Sequence, residues 1–294
     1  MTEERGLWRT LASPGVLWLV LFVVVPAYAV LAVAMGQIDT LLQPVPIWNP
    51  LDWNVGFVKE AFSSVVPGGT YWPATRNTIV YVAATIILCF AIGYPVAYYI
   101  ARHAKRSKGL LLLLIFVPFW VSYLMRMLAW IGLLAPDGYV NQVLGHVGIG
   151  SPPEWLNGNP FSVIAALTYG YIPYFIIPVY AGLDRIDGSL LEGARDLGAS
   201  AWRTFLRVTL PLSWPSILAG TILIMLPMFG DYYTNDLISG SPKTNMLGNS
   251  VNLLVQGGPQ KNLGAAMVLV LMTLLAVGMI YYLWEIARLE RRRA

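Results

Sequence analysis

EGARDLGASAWRTFLRVTLPLSWP, residues 192–215, is the most charged stretch in the middle of a chain that otherwise avoids charge. Glu192, Arg195, Asp196, Arg203 and Arg207 recur at the spacing of short amphipathic helices, Gly198 interrupts them, and Leu210 and Pro211 close the run. Leu190, Leu191, Ala194 and Leu197 share a face of the first helix, and Trp202, Phe205 and Leu206 share a face of the second. Each helix thus has an apolar side to bury against something, and a glycine between them suits a tight turn. Taken alone, the segment passes for a DNA-binding helix–turn–helix. Its surroundings argue against that.

Long apolar segments flank it on both sides. Hydrophobic residues make up 57% of the 294 residues and charged ones 12%, about half the charged share of a soluble domain. Apolar runs of about 20 residues recur, each long enough to cross a hydrocarbon core about 30 Å thick. Six spans are expected, at 15–35, 77–101, 110–134, 161–182, 215–235 and 263–286. Arg5 and Arg9 precede the first, but its apolar run exceeds a signal-peptide core, so an uncleaved helix is expected.

The expected fold class is therefore all-α. It is a polytopic membrane protein with six transmembrane helices and a cytoplasmic helix–turn–helix between the fourth and fifth. Residues 1–14 form an N-terminal tail, 15–287 the transmembrane domain with the loop 183–214 inside it, and 288–294 a basic tail. Orientation follows from the basic residues. The N-terminal tail, the 102–109 loop, the 183–214 loop and the C-terminal tail hold 14 of the 19 lysines and arginines. The opposite side has Lys59, Arg76, Lys243 and Lys261, and Arg126 falls within the third span. Both termini and the quoted loop are thus expected in the cytoplasm, with the protein multi-pass in the cell membrane. Among the outer segments, the tryptophans of 36–76 suit the lipid–water interface, and 138–149 has the apolar spacing of a helix lying flat there.

With so little cytoplasmic mass, the apolar faces of the quoted helices need another subunit to cover them. The acidic first helix and the tether to two spans speak against nucleic acid. The segment resembles the EAA loop of ABC importer permeases: E-A-A, three residues, G, nine residues, I-x-L-P. Here the pattern stands as Glu192, Gly193, Ala194, then Gly198, then Val208, Leu210 and Pro211, with Asp196 inside it; Gly193 replaces an alanine and Val208 the isoleucine. The resemblance extends to 118–141, 169–187 and 228–251, which are similar to segments of spermidine/putrescine permease subunits.

That resemblance implies a type I importer permease fold and a coupling helix docking on separate ATPase subunits. It also implies a second permease, related or identical, and an extracytoplasmic solute-binding protein. Glu192 would cap a helix or pair with basic groups, and Gly198 would form the turn. Cargo is expected to be polyamine, with ferric ion, sugars or other organic solutes as alternatives. A secondary transporter or channel stands as a further alternative but needs no such loop; for an intramembrane enzyme, no serine or cysteine stands with a plausible base and the embedded charges form no acid–base pair.

No G-x-x-x-x-G-K-[ST] stretch occurs, so the phosphate-cradling loop of an ATPase is lacking. Cys89 lies in an apolar run and His103 and His146 stand far apart, so neither a metal site nor a cofactor is expected. Candidate path residues are charges and aromatics within or at the ends of spans: Arg126, Asp231, Tyr232, Tyr233, Asp236, Trp120, Trp130, Tyr169 and Tyr171, with Glu154 weaker. Carboxylates beside aromatic faces suit ammonium groups. Three readings of Asp231 compete: contact with cargo, a pair with Arg126, and an interfacial acid at a helix end. Arg126 is either pathway lining or a packing anchor, with a carboxylate or backbone carbonyls expected as its partner. Trp120, Trp130, Tyr169 and Tyr171 either line the route or face lipid.

Overall fold

The computed structural model describes residues 13–148, 153–257 and 260–291. Most of the expected N-terminal tail and the last three residues of the basic tail lie outside them. Twelve helices follow in order: α1 Ser13–Ala34, α2 Gly56–Val65, α3 Trp72–Arg102, α4 Lys108–Phe116, α5 Tyr123–Leu134, α6 Tyr139–His146, α7 Pro160–Asp184, α8 Gly188–Asp196, α9 Ala201–Phe229, α10 Tyr233–Ile238, α11 Leu247–Asn252 and α12 Lys261–Arg291. A two-residue antiparallel pair, Gln37–Ile38 with Pro44–Val45, is the sheet content among them.

Five helices, α1, α3, α7, α9 and α12, are each long and apolar enough to cross a membrane. The expected third span is not one helix. The helical segments Lys105–Trp120 and Tyr123–His146 bend by 86° at the junction, which makes a sixth span only if the bent pair is counted together. Pro118 lies in a 3₁₀ turn, Val117–Trp120, and Val121 is extended. Without an N–H at 118 the α-helical ladder loses a bond, and the break follows. Pro173 and Pro178, by contrast, sit inside an unbroken α7.

The fifth span is also shifted from expectation. The helix starts at Ala201 within the quoted loop and ends at Phe229, so Leu210 and Pro211 do not close anything. A π turn, Phe205–Thr209, precedes the proline, and Leu210 N–H bonds back to Phe205 O. The wider turn accommodates a residue without an N–H, and the helix runs through. The second helix of the helix–turn–helix is therefore the foot of a span.

The chain divides into two compact units, one within Met1–Trp72 and Ser250–Ala276, the other within Pro73–Asn249 and Val277–Ala294. In the first, Asn262 Nδ2 donates to Val33 O at 2.7 Å and to Gln37 O at 3.2 Å, tying α12 to the end of α1. In the second, α7 is central. Phe175, Leu167, Val179 and Leu183 are fully buried, and α3 and α9 pack against them. Lipid tails are as apolar as these side chains, so close packing rather than escape from water holds such helices together. Gly220 permits the approach: a Cβ there would lie 3.1 Å from both a ring carbon and the carbonyl oxygen of Phe175.

Candidate functional site: an amphipathic loop and a tyrosine-lined cavity

The loop is built from its caps. Asp187 Oδ1 accepts Ser189 N–H at 3.0 Å and starts α8. That backbone hydrogen bond holds the Asp187 carboxyl below its usual range. At the other end Gly198 N–H bonds Arg195 O at 2.8 Å and Ala199 N–H bonds Ala194 O at 3.1 Å. Together with φ +84° at Gly198, this is the paired closure of a left-handed helix stop, which favours glycine. Ser200 Oγ then accepts Arg203 N–H at 3.3 Å and starts α9.

Glu192 is not the cap; it is exposed and makes no ion pair among the described residues. Asp196 and Gly193 are also exposed, and Ala194 and Val208 are half-buried. Phe205 turns inward against the rings of Tyr94 and Tyr98, each at 5.9 Å. Leu190, Leu197 and Trp202 remain uncovered, with Leu197 at 91% exposure. An ion pair between Lys108 and Asp184 ties the 102–109 loop to the foot of α7, so those two loops lie at one end of the unit.

A cavity of about 540 Å³ lies among α5, α7, α9 and the turn after α9. Its walls include Arg126, Tyr171, Asp231, Tyr232 and Tyr233, five of the expected path residues. Four others lie off the wall. Trp120 is 77% exposed. Trp130 and Tyr169 pack ring to ring at 5.6 Å behind Arg126. Asp236 is exposed and accepts Asn249 Nδ2 at 2.6 Å. Glu154 is exposed, accepts a hydrogen bond from Asn157 and is not part of this cavity's wall. Tyr123, Tyr174, Leu223 and Pro227 line the cavity without having been singled out. Tyr174 falls one helical turn after Tyr171, and Tyr123 one turn before Arg126; that spacing was the available signal.

Asp231 is buried and spoken for. Oδ1 accepts Thr234 N–H at 3.0 Å, and Oδ2 accepts the Thr234 hydroxyl at 2.7 Å and the Tyr171 hydroxyl at 3.1 Å. It satisfies a backbone donor in the first turn of α10 and, through Tyr171, fastens that helix to α7. Tyr123 OH and Thr234 Oγ1 are also hydrogen-bonded, which brings α5 into the same clasp. Arg126 has neither of its expected partners. Its guanidinium lies 4.1 Å over the Phe119 ring, with Tyr123 at 5.3 Å and Tyr169 at 5.8 Å, and it forms no ion pair or hydrogen bond among the described residues. Rings fill the space around it, and the Asp231 oxygens are taken by other donors.

The turn carrying Asp231 depends on Gly248. A Cβ there would lie 2.8 Å from the carbonyl oxygens of Gly230 and Asp231. Gly248→Ala is expected to destabilise this unit by about 1–3 kcal/mol through forced backbone shifts. A thermal-unfolding midpoint equal to that of the unaltered protein would rule out the close approach.

The model of the binding-protein-dependent transport system inner membrane component family matches residues 93–293, which takes in both the loop and the cavity. The chain belongs to this family. As a family member it is a membrane-embedded permease component, not itself a catalytic subunit. It is 30% identical over 280 residues to the spermidine/putrescine transport system permease protein PotB of Escherichia coli K12, covering 94% of this chain and 96% of that one. To PotB of Haemophilus influenzae it is 34% identical over 243 residues, covering 80% and 78%. The fold matches a chain of a bacterial alginate ABC transporter, solved with its pentasaccharide-bound periplasmic protein, at a TM-score of 0.74 and 16% identity over 95% and 93% of the two chains. The permease fold expected from the EAA-like loop is thus the fold observed.

Proposed function

We propose that this permease is one of two such subunits of an ATP-driven importer and that its cargo is polyamine. One observation carries the coupling half of the reading. The uncovered apolar residues Leu190, Leu197 and Trp202 flank a rigid glycine stop, and the helix after it continues unbroken into the membrane. A partner that grips this loop moves a span as a rigid body. The partner is a separate ATPase. The second permease, more naturally a related chain than an identical one, completes the path, and a solute-binding protein outside delivers cargo. The names of the PotB relatives support the cargo assignment. Gentle solubilisation of the complex from its native membrane should bring down an ATPase subunit and a second permease with this chain. Recovery of the chain alone, under conditions that keep known importers intact, contradicts the reading.

Both termini and the coupling loop are placed in the cytoplasm, on the asymmetry of basic residues. With buried Cys89 replaced by alanine, Lys105→Cys and Arg203→Cys are expected to resist an impermeant thiol reagent applied to intact cells, and Lys243→Cys to react. Labelling of 105 or 203 from outside reverses the orientation.

A further inference from the structure

Tyr94, Ala97 and Ala101 turn one face of α3 into the core, and the helical period puts Val96 and Tyr99 on the opposite face. There an apolar groove of about 450 Å³ runs between α3 and α4, walled by Val96, Tyr99 and Ile100 and by Leu111, Leu114 and Ile115. With nine residues, α4 rises about 13 Å, close to half of a hydrocarbon core about 30 Å thick. The groove thus lies within one leaflet. Beyond α4 the chain enters the Val117–Trp120 turn and the 86° bend, so the furrow stops short of what a spanning helix needs. The 102–109 loop closes its other end with Arg102, Lys105, Arg106 and Lys108 and no acidic residue. Asp184 pairs with Lys108, while Lys105 and Arg106 are exposed and form no ion pair among the described residues.

We propose that this groove binds an anionic phospholipid, with an acyl chain between α3 and α4 and the headgroup phosphate on Lys105 and Arg106. Basic side chains at the membrane surface attract acidic headgroups, and the guanidinium fork matches a phosphate. A zwitterionic lipid fills the groove equally well but brings its own cation against the loop. The site is independent of cargo and goes beyond the importer reading. Its loop is also the one that Lys108 ties to the foot of α7, so the bound lipid braces the hairpin beside the span that leads into the coupling loop.

The test uses the protein isolated from its own membrane with the partners it retains, stripped of lipid by detergent exchange. It is titrated with dioleoyl phosphatidylglycerol or dioleoyl phosphatidylcholine, and bound lipid is counted by native mass spectrometry. Phosphatidylglycerol is expected to bind about tenfold more tightly, and K105Q with R106Q to remove that preference. L114W keeps every charge but fills the groove, and is expected to remove the tight binding as well. Both sets of changes lie on exposed positions, so the fold is retained. A photoreactive amino acid placed at position 114 in native membranes is expected to attach phospholipid. Equal affinity for the two lipids in the unaltered protein overturns the proposal. So does undiminished phosphatidylglycerol binding by L114W, which reduces the loop to a diffuse attraction for acidic lipid. Attachment of position 114 to a neighbouring protein chain instead of lipid makes the groove a subunit contact and overturns it too.

Discussion

Gly198→Val is expected to reduce transport by at least tenfold while the protein still inserts in the membrane. Gly198 sits at φ +84°, and nothing lies within 4 Å of a Cβ built there, so the penalty is in the backbone and not in a clash. A β-branched residue in the left-handed region costs about 1–2 kcal/mol, and the strain is relieved by swinging α8 away from its fixed angle to α9. The proposed ATPase contact then loses its register. Gly193→Ala is the matched control. Gly193 lies inside α8 with open space around it, so alanine is expected to strengthen the helix by about 0.8–1 kcal/mol and leave uptake intact. The check is uptake together with ATPase co-isolation for both variants. Normal uptake by Gly198→Val makes the loop an ordinary connector.

Asp231→Asn is expected to lower both the thermal midpoint of the complex and its uptake. Hydrogen bonds to a charged acceptor contribute about 1.5–3 kcal/mol each, and Asp231 receives three of them from Thr234 and Tyr171. If the clasp is the main role, Tyr171→Phe added to Asp231→Asn costs much less than the two single effects combined. Arg126→Gln added instead is not expected to restore stability, because the structure holds no Arg126–Asp231 ion pair. If Asp231 meets cargo, uptake falls further than stability does. Wild-type uptake and midpoint in Asp231→Asn would leave it an interfacial acid with no role in the clasp.

The loop was legible because its signals are local. Gly198 at a fixed distance from Glu192, between two short amphipathic stretches, sets a helix stop whatever surrounds it. Arg126 and Asp231 stood out for the same kind of reason, since charge near a membrane span is costly wherever it falls. Span breaks were less legible. Pro118, Pro173, Pro178 and Pro211 all lie in apolar or helix-forming sequence, yet one accompanies an 86° bend, two ride inside a continuous helix and one follows a π turn. What separates them is how neighbouring groups re-satisfy the backbone, which hydrophobic periodicity does not encode. Trp120 and Trp130 illustrate a second limit. In water, polar and apolar faces of a helix differ in sequence, but a span is apolar towards lipid and towards its neighbours alike. One tryptophan is exposed and the other packs behind Arg126, and the sequence alone does not tell them apart.

The central claim, a permease half of an ATP-driven polyamine importer, is tested most directly by uptake of labelled spermidine. Cells that carry the rest of the transporter are compared with and without this chain. Accumulation that depends on the chain and collapses when cellular ATP is depleted is the predicted result. Equal accumulation in its absence would contradict the account.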